Sequence, residues 1–163
     1  MITDFTMVYK RITTSSYPNE ASFRQDFIEA LKNELSFSCR RKASLINVIL
    51  EYKINKRKRA DTKICNIIFE FERPSPTKTG ISTAKRQQLF SYLSDMHKKY
   101  PQTAFYGVIT NGWYMEIYKE TSQVPLYSGR FLDGAKYLVM LICINIQKFS
   151  IIEPDDFIAI YGV

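Results

Sequence analysis

The order of the predicted elements indicates an α/β domain in which helices pack on a mixed β-sheet. Three features support this class: apolar residues at helical spacing, β-branched and aromatic runs between them, and turn signals that pair those runs into hairpins. The resulting order is helix, hairpin, helix, hairpin, helix. Helices that each bury one face are accommodated when they pack on a sheet built from the hairpins.

Length and composition fit one domain. The chain has 163 residues, of which 45% are hydrophobic and 14% aromatic, enough to bury a core. We therefore expect a single domain over residues 1–163. Residues 1–18 are polar and rich in Ser and Thr, so we expect a loosely held N-terminal arm.

The charge balance favours an anionic partner. The 23 Lys and Arg against 16 Asp and Glu give a net charge of +7. Nucleic acid is the first candidate, followed by an acidic membrane surface or protein. The N-terminus lacks the apolar stretch of a secretion signal, and the most apolar run, 137–146, is too short to span a bilayer. We expect an intracellular protein, cytoplasmic or nuclear, that is neither secreted nor a membrane protein.

The cysteines do not form a recognisable metal or disulfide pattern. Cys39, Cys65 and Cys143 are scattered, and their odd number argues against a closed disulfide framework or a zinc site. We expect reduced thiols.

The first helix is predicted over residues 19–35. Its apolar residues recur at helical spacing: Phe23, Phe27, Ile28, Leu31 and Leu35. Glu20 lies in the first turn, and a structural alternative for it is a salt bridge with Arg24, one turn later.

A hairpin with charged strands follows. The first strand is predicted over 45–54, a basic turn over 55–59, and a second strand over 64–72, within the segment RKRADTKICNIIFEFERP at 57–74. Alternation places Glu70 and Glu72 on one face of the second strand. Two such carboxylates need a cation, a proton or water. Asp61 at the strand entrance turns toward the same place, so the three form a candidate site for an oxygen-preferring metal such as Mg²⁺.

This charged hairpin has a simpler alternative. The two glutamates face water on an edge strand and pair with neighbouring arginines such as Arg73. The basic turn, with Arg57, Lys58 and Arg59, either contacts phosphates or is a solvated loop. The net charge favours phosphate contact.

The second half of the chain contains the remaining elements. A loop over 74–80 precedes a helix over 82–99, in which Lys85 and Arg86 occupy the first turns and Gln88 and Tyr92 face the same way. His97 near its end is a surface residue.

Strands over 103–110 and 113–119 flank Asn-Gly and form a second hairpin. A weaker strand over 125–131 precedes a helix over 133–149 that is apolar on most faces, so it is either deeply buried or part of an intermolecular contact. A short strand is possible in 154–163.

Five segments, in this order, resemble the PD-(D/E)xK nuclease superfamily, especially the branch near the N-terminal nuclease domain of type I restriction motor subunits and RecB-type nucleases. The resemblance extends over about 20–149. Its segments are NEASFR at 19–24, similar to the first-helix glutamate motif; RADTKI at 59–64, similar to the strand with the metal-binding aspartate; IIFEFERP at 67–74, similar to the (D/E)xK strand; Gln88 to Tyr92, similar to the QxxxY motif; and VITNGWYMEIY at 108–118, similar to the TNG hairpin.

The resemblance implies a restriction-endonuclease-like mixed central β-sheet flanked by helices and a nuclease that cleaves phosphodiester bonds with Mg²⁺ or Mn²⁺. DNA is the expected partner ahead of RNA. The implied metal ligands are Asp61, Glu70 and, through a water, Glu20. The implied catalytic set adds Glu72 and Gln88. The residues expected to contact nucleic acid are Arg57, Lys58, Arg59, Arg73, Lys85, Arg86 and Tyr92, with Lys63 as a further phosphate clamp.

One position departs from the family pattern. Glu72 occupies the place of the motif lysine, which in the family is thought to hold the attacking water and steady charge on the phosphate. A minority of restriction nucleases use a Glu-x-Glu arrangement, so an active variant with Glu72 as general base or second-metal ligand is one interpretation. The other is a catalytically degenerate domain that binds nucleic acid or assembles with proteins, as a homodimer or within a larger complex.

Overall fold

A computed structural model describes residues 4–14, 17–38 and 47–148 of the chain. Within these ranges the protein has four helices and six strands. They are, in order, α1 (Phe5–Thr14), α2 (Glu20–Ser38), β1 (Val48–Lys53), β2 (Arg59–Ile64), β3 (Ile67–Phe71), α3 (Thr83–Lys99), β4 (Tyr106–Thr110), β5 (Tyr114–Lys119), β6 (Tyr127–Arg130) and α4 (Phe131–Lys148).

The six strands form one mixed sheet in the order β1-β2-β3-β4-β5-β6. Every neighbouring pair is antiparallel except β3 and β4, which are parallel. Parallel neighbours need a crossover, and α3 supplies it. The expectation of a mixed sheet flanked by helices is confirmed.

The two faces of the sheet bury different helices. On one face, aromatic residues of α1, α2, β3 and α4 pack together, and the rings of Phe27 and Phe71 meet edge to face at 5.2 Å. On the other face, α3 packs through Leu89 and Leu93 on Ile68 and Ile109. Strand residues alternate between faces, so Glu70 points to the same side as Ile68, toward α3.

The expectation of a loose N-terminal arm is wrong for residues 5–14, which form α1. Phe5, Val8 and Ile12 are buried at helical spacing. Asp4 begins the helix by accepting a hydrogen bond from the Met7 backbone N–H at 3.0 Å. The polar residues between these apolar ones lower the average hydrophobicity of the segment, which is an amphipathic helix stabilised by tertiary packing.

The strand predicted over 64–72 is present as β3, but it begins at Ile67, and its predicted pairing with the first strand is wrong because β2 lies between them. The chain turns at Cys65 and Asn66, so 57–74 folds into two antiparallel strands, β2 and β3, and Asp61 lies inside β2. Cys65 has a positive φ of 52°. Asn66 holds the turn by donating from Nδ2 to the Ala104 carbonyl at 2.6 Å. Cys-Asn is a weak turn signal, and a strand buried on both faces shows no alternation that would mark its ends.

The other predicted elements are present with small changes of boundary. The Asn-Gly hairpin joins β4 and β5, with Gly112 at φ 83°. On α4, Leu138 and Ile142 are buried, whereas Met140 and Ile144 are 52% and 42% exposed, so the helix is buried along one side. The possible strand in 154–163 and the start of the first predicted strand lie outside the described residues.

Two further expectations concern membrane-spanning segments and the oxidation state of the cysteines. In the described part of the chain, no helix is both long and apolar enough to cross a membrane. Cys65 is a buried free thiol. Cys143 is disulfide-bonded, so the expectation of reduced thiols is wrong there. Cys39 lies outside the described residues.

Candidate active site

The ladder between β2 and β3 opens at Asp61 and Glu70. Paired residues run from Ile64 and Ile67 to Thr62 and Phe69, and the pairing stops there. Beyond that point each carboxylate accepts a hydrogen bond from the opposite main chain. Glu70 Oε1 accepts from the Asp61 N–H at 3.3 Å, and Asp61 Oδ2 accepts from the Phe71 N–H at 2.8 Å. The two acidic side chains are therefore held close together by the strands that carry them.

The strand β2 changes face at the same place. Ile64 packs in the cluster with α1, α2 and α4, whereas Ala60 packs in the cluster with α3. Residues four apart on a regular strand would share a face. Glu51, opposite Asp61 on β1, has a positive φ of 51°, so the irregularity extends across both ladders.

Arg24 closes this opening from α2. Its Nη1 donates to Glu51 Oε1 at 2.9 Å and to the Asp61 carbonyl at 3.4 Å. The salt bridge considered between Glu20 and Arg24 is thus replaced by one between Arg24 and Glu51. Sequence reasoning missed Arg24 and Glu51 as neighbours of the site because the contact joins elements far apart in the chain.

The acidic side chains influence one another. Glu70 is only 1% exposed, and burial, then the negative charge of Asp61, raises its pKa to about 7. Burial also raises the pKa of Glu20, with Asp61 as the next cause, while Lys85 and Arg24 oppose the rise. The first residue of α2 therefore shares the electrostatic environment of the pair on β2 and β3.

Lys85 of α3 is the cation of this cluster. Its Nζ lies 3.3 Å from Glu70 Oε2 and 3.8 Å from Asp61 Oδ2, and its side chain is 26% exposed. Burial alone would lower the pKa of Lys85, but Asp61, Glu70 and Glu20 together raise it. A residue expected to contact nucleic acid thus lies against the acidic pair.

Gln88 and Tyr92 follow Lys85 on the same stripe of α3. Gln88 Nε2 donates to the Tyr92 hydroxyl at 2.6 Å. Burial mainly raises the pKa of Tyr92, the bond from Gln88 lowers it, and Glu70 and Asp61 raise it. Tyr92 is 5% exposed and packs in the core cluster under α3, so the core interpretation describes its ring and base stacking does not.

Glu72 is engaged away from the acidic pair. Its N–H donates to the Thr110 carbonyl at 2.9 Å, and its Oε1 accepts from the Ser82 N–H at 2.8 Å. The carboxylate therefore joins the end of β3 to the start of α3. This contact does not correspond to the general-base or metal role expected at the motif position.

Two of the expected phosphate contacts are committed to structural ion pairs. Arg86 forms a two-pronged pair with Glu116 on β5, from Nε to Oε1 at 2.7 Å and from Nη2 to Oε2 at 2.8 Å. Lys58 donates to Asp95 at 2.7 Å and to Ser91 at 2.5 Å, which fastens the β1–β2 turn to α3. Both side chains therefore have carboxylate partners within the protein, and their expected contact with nucleic acid stays a prediction.

The remaining basic candidates differ in exposure. Lys63 is fully buried, with Nζ 5.3 Å from the centre of the Tyr52 ring, so its expected role as a phosphate clamp is wrong. Arg73 is exposed, and its Nε donates to the Tyr17 carbonyl at 3.3 Å. Arg57 and Arg59 are exposed at the β1–β2 turn.

The acidic cluster is not a ready-made three-ligand metal centre. Among residues 4–14, 17–38 and 47–148, no three His, Cys, Asp or Glu side chains meet in an arrangement that could hold a metal ion. Asp61 and Glu70 make the close pair, and burial, then the negative charge of Asp61, raises the pKa of Glu20.

The fold has a counterpart among solved structures. It superposes on the type IIG restriction endonuclease BpuSI with a TM-score of 0.50 and 20% sequence identity, over 83% of this chain and 17% of that chain. The likeness confirms a restriction-endonuclease-like fold. The chain spans 17% of the length of that much larger enzyme. No family model matches the sequence, and no curated protein matches it.

Proposed function

We propose that this chain is a nuclease domain that cleaves phosphodiester bonds of DNA with a divalent metal ion, Mg²⁺ or Mn²⁺. The observation that carries the proposal is the convergence of Asp61 and Glu70 where β2 and β3 separate, with Lys85 beside them. The fold is one that a restriction endonuclease uses, which supports DNA as the substrate.

The donor chemistry of the pair fits a hard divalent ion. Mg²⁺ favours carboxylate oxygens, and it is often held by one or two carboxylates while it retains several waters. A two-carboxylate site therefore suffices without a third close ligand. Asp61 and Glu70 would hold the ion, and Glu20 would bind through a water. A bound divalent ion neutralises charge on a phosphoryl group and lowers the pKa of water.

The chain's own residues orient the reaction. Glu70 and Asp61 are fixed by main-chain hydrogen bonds, so their oxygens are preorganised. Gln88 and Tyr92 line the same stripe of α3 and support the position of the scissile phosphate. In the hydrolysis, a water oxygen loses a proton to solvent and bonds to phosphorus. One P–O ester bond breaks, and its leaving oxygen takes up a proton.

The positive charge of the chain supplies affinity for DNA. The net charge is +7, and Arg57, Arg59 and Arg73 are exposed. Such residues contact phosphates without reading sequence. Binding should weaken as salt concentration increases.

Plasmid cleavage tests the proposal. Purified protein is incubated with DNA and Mg²⁺ or Mn²⁺, with EDTA as the metal-free sample. We expect cleavage that requires metal and that Asp61→Ala and Glu70→Ala both abolish. Asp133→Asn is the matched control, since this carboxylate is 50% exposed and pairs with Arg130 on another part of the surface. A folded wild-type protein that neither takes up Mn²⁺ nor cuts DNA would overturn the proposal.

A second candidate function is a catalytically degenerate domain that binds nucleic acid or assembles with proteins. Glu72 at the lysine position and the absence of three converging metal ligands in the described residues favour it. It predicts measurable DNA affinity, no metal uptake by calorimetry and no cleavage. Sedimentation would detect a homodimer or a larger assembly.

A further inference from the structure

We infer that Lys85 supplies, from α3, the positive charge that nucleases of the resembled family take from the strand position occupied here by Glu72. We further infer that Glu72 positions the helix start from which Lys85 projects. This inference rests on the proposed nuclease function and names a catalytic residue for it.

The geometry of Lys85 is the first step. Its Nζ contacts carboxylate oxygens from two different strands, Glu70 Oε2 at 3.3 Å and Asp61 Oδ2 at 3.8 Å. Both distances are longer than a strong charge-assisted hydrogen bond, which is about 2.7–2.9 Å. The side chain is also 26% exposed. An ammonium group has three donors, so Lys85 retains donor capacity toward a ligand that enters from solvent.

The route from Glu72 to Lys85 is the second step. Glu72 Oε1 accepts from the Ser82 N–H at 2.8 Å. Ser82 caps α3, and its Oγ accepts from the Lys85 N–H at 3.2 Å. The residue at the motif position thus fixes the turn that presents Lys85. A lysine at position 72 would lack an acceptor for the Ser82 N–H, so this loop arrangement and Glu72 belong together.

The third step is that the neighbouring basic side chains contact other partners. Arg86 pairs with Glu116, and Lys58 pairs with Asp95. Arg73 donates to the Tyr17 carbonyl. Among these basic side chains, Lys85 is the one with a described contact to both Asp61 and Glu70.

The chemical role follows from this position. When a phosphodiester approaches Asp61 and Glu70, the Lys85 ammonium donates to the attacking water and to a nonbridging phosphoryl oxygen. It steadies the negative charge that grows as the new P–O bond forms and the old one breaks. It remains protonated throughout, because the water proton passes to solvent.

Steady-state cleavage of a fluorescent duplex oligonucleotide tests the inference, with Lys85→Ala, Lys85→Gln and Lys85→Arg compared with wild type. Lys98→Ala is the matched control, an exposed lysine in the last turn of the same helix. Thermal melting reports folding, and calorimetry with Mn²⁺ alone reports metal affinity. We expect Lys85→Ala and Lys85→Gln to lower kcat about 100-fold or more with KM and Mn²⁺ affinity within about threefold. Lys85→Arg should recover part of the loss, and Lys98→Ala should behave as wild type.

Other results would overturn the inference. If wild type cuts, Asp61→Ala does not, and Lys85→Gln cuts within threefold of wild type, then Lys85 is only a counter-ion and the nuclease proposal stands. The same conclusion follows if the loss in both neutral variants vanishes after correction for the folded fraction. If folded wild type neither cuts nor binds Mn²⁺, the proposed function fails and the role of Lys85 fails with it.

Discussion

Lys85 and Arg86 are neighbours on α3, and each contacts a buried glutamate on a different strand of the sheet. Arg86 meets Glu116 of β5 through two hydrogen bonds of 2.7 and 2.8 Å, and the Tyr118 hydroxyl donates to the same carboxylate at 2.8 Å. Lys85 meets Glu70 of β3 at 3.3 Å, and the bond from the Asp61 N–H to Glu70 is also 3.3 Å.

On the proposed function, the pair of Arg86 and Glu116 serves stability, whereas the pair of Lys85 and Glu70 belongs to the site. Glu116 is saturated with short hydrogen bonds, so its ion pair is complete without a ligand. Glu70 has long contacts, a second carboxylate beside it, and a pKa raised to about 7 by burial and by Asp61. A buried carboxyl group with long contacts and a raised pKa is typical of a functional site, and a bound cation would stabilise its charged form.

Conservative changes at the two glutamates should have very different effects on cleavage. We expect Glu70→Gln to lower kcat at least about 100-fold because an amide is a poor metal ligand and lacks the negative charge. Glu116→Gln should retain cleavage within about threefold below its melting temperature. Initial rates of plasmid cleavage, measured well below both melting temperatures, check this. Equal losses in the two variants would erase the distinction between the pairs.

Alanine substitutions of the two cations should both lower stability, but by different amounts. Arg86→Ala leaves Glu116 buried without its partner and should lower the free energy of unfolding by about 2–3 kcal/mol. Lys85→Ala should cost less, about 1 kcal/mol or below, because its contacts are longer and its partner can take up a proton. Urea unfolding monitored by circular dichroism measures both. A larger loss for Lys85→Ala would show that its pair is the structural one.

The pH dependence of the free energy of unfolding should reveal the raised pKa of Glu70. Its folded-state pKa, about 7, lies above the ordinary 4.5, so the folded protein binds the additional proton in this range. The free energy of unfolding therefore falls as pH rises from about 4.5 to about 7, and the cost persists above pH 7. Glu70→Gln removes this titration and should be more stable than wild type at pH 8 by on the order of 3 kcal/mol.

Unfolding in EDTA at several pH values supplies the measurement. Glu116→Gln is the control, since it leaves Glu70 intact and should preserve the slope between pH 4.5 and 7. A Glu70→Gln curve parallel to wild type throughout this range would contradict the raised pKa.

Local sequence patterns predicted some helices and turns of this protein and missed others. The helix with Gln88 and Tyr92 and the hairpin at Asn111-Gly112 were predictable because helical periodicity and Asn-Gly turns act over a few residues. The alternating direction of side chains along a strand also placed Glu70 on the same face as Ile68. Helix α1 and the turn at Cys65 were missed because both depend on packing against residues distant in the chain.

The amino-acid order settles which residues are available: carboxylates at 61 and 70, a glutamate where a lysine is expected at 72, and adjacent cations at 85 and 86. Their assignment to roles required the folded chain. Lys85 and Arg86 are adjacent basic residues, and the sequence alone does not distinguish their roles. The rotation of about 100° between adjacent helix positions directs Lys85 to Glu70 and Arg86 to Glu116. Sequence periodicity defines the face of an element, but the partner of each charge depends on how α3 lies across the sheet.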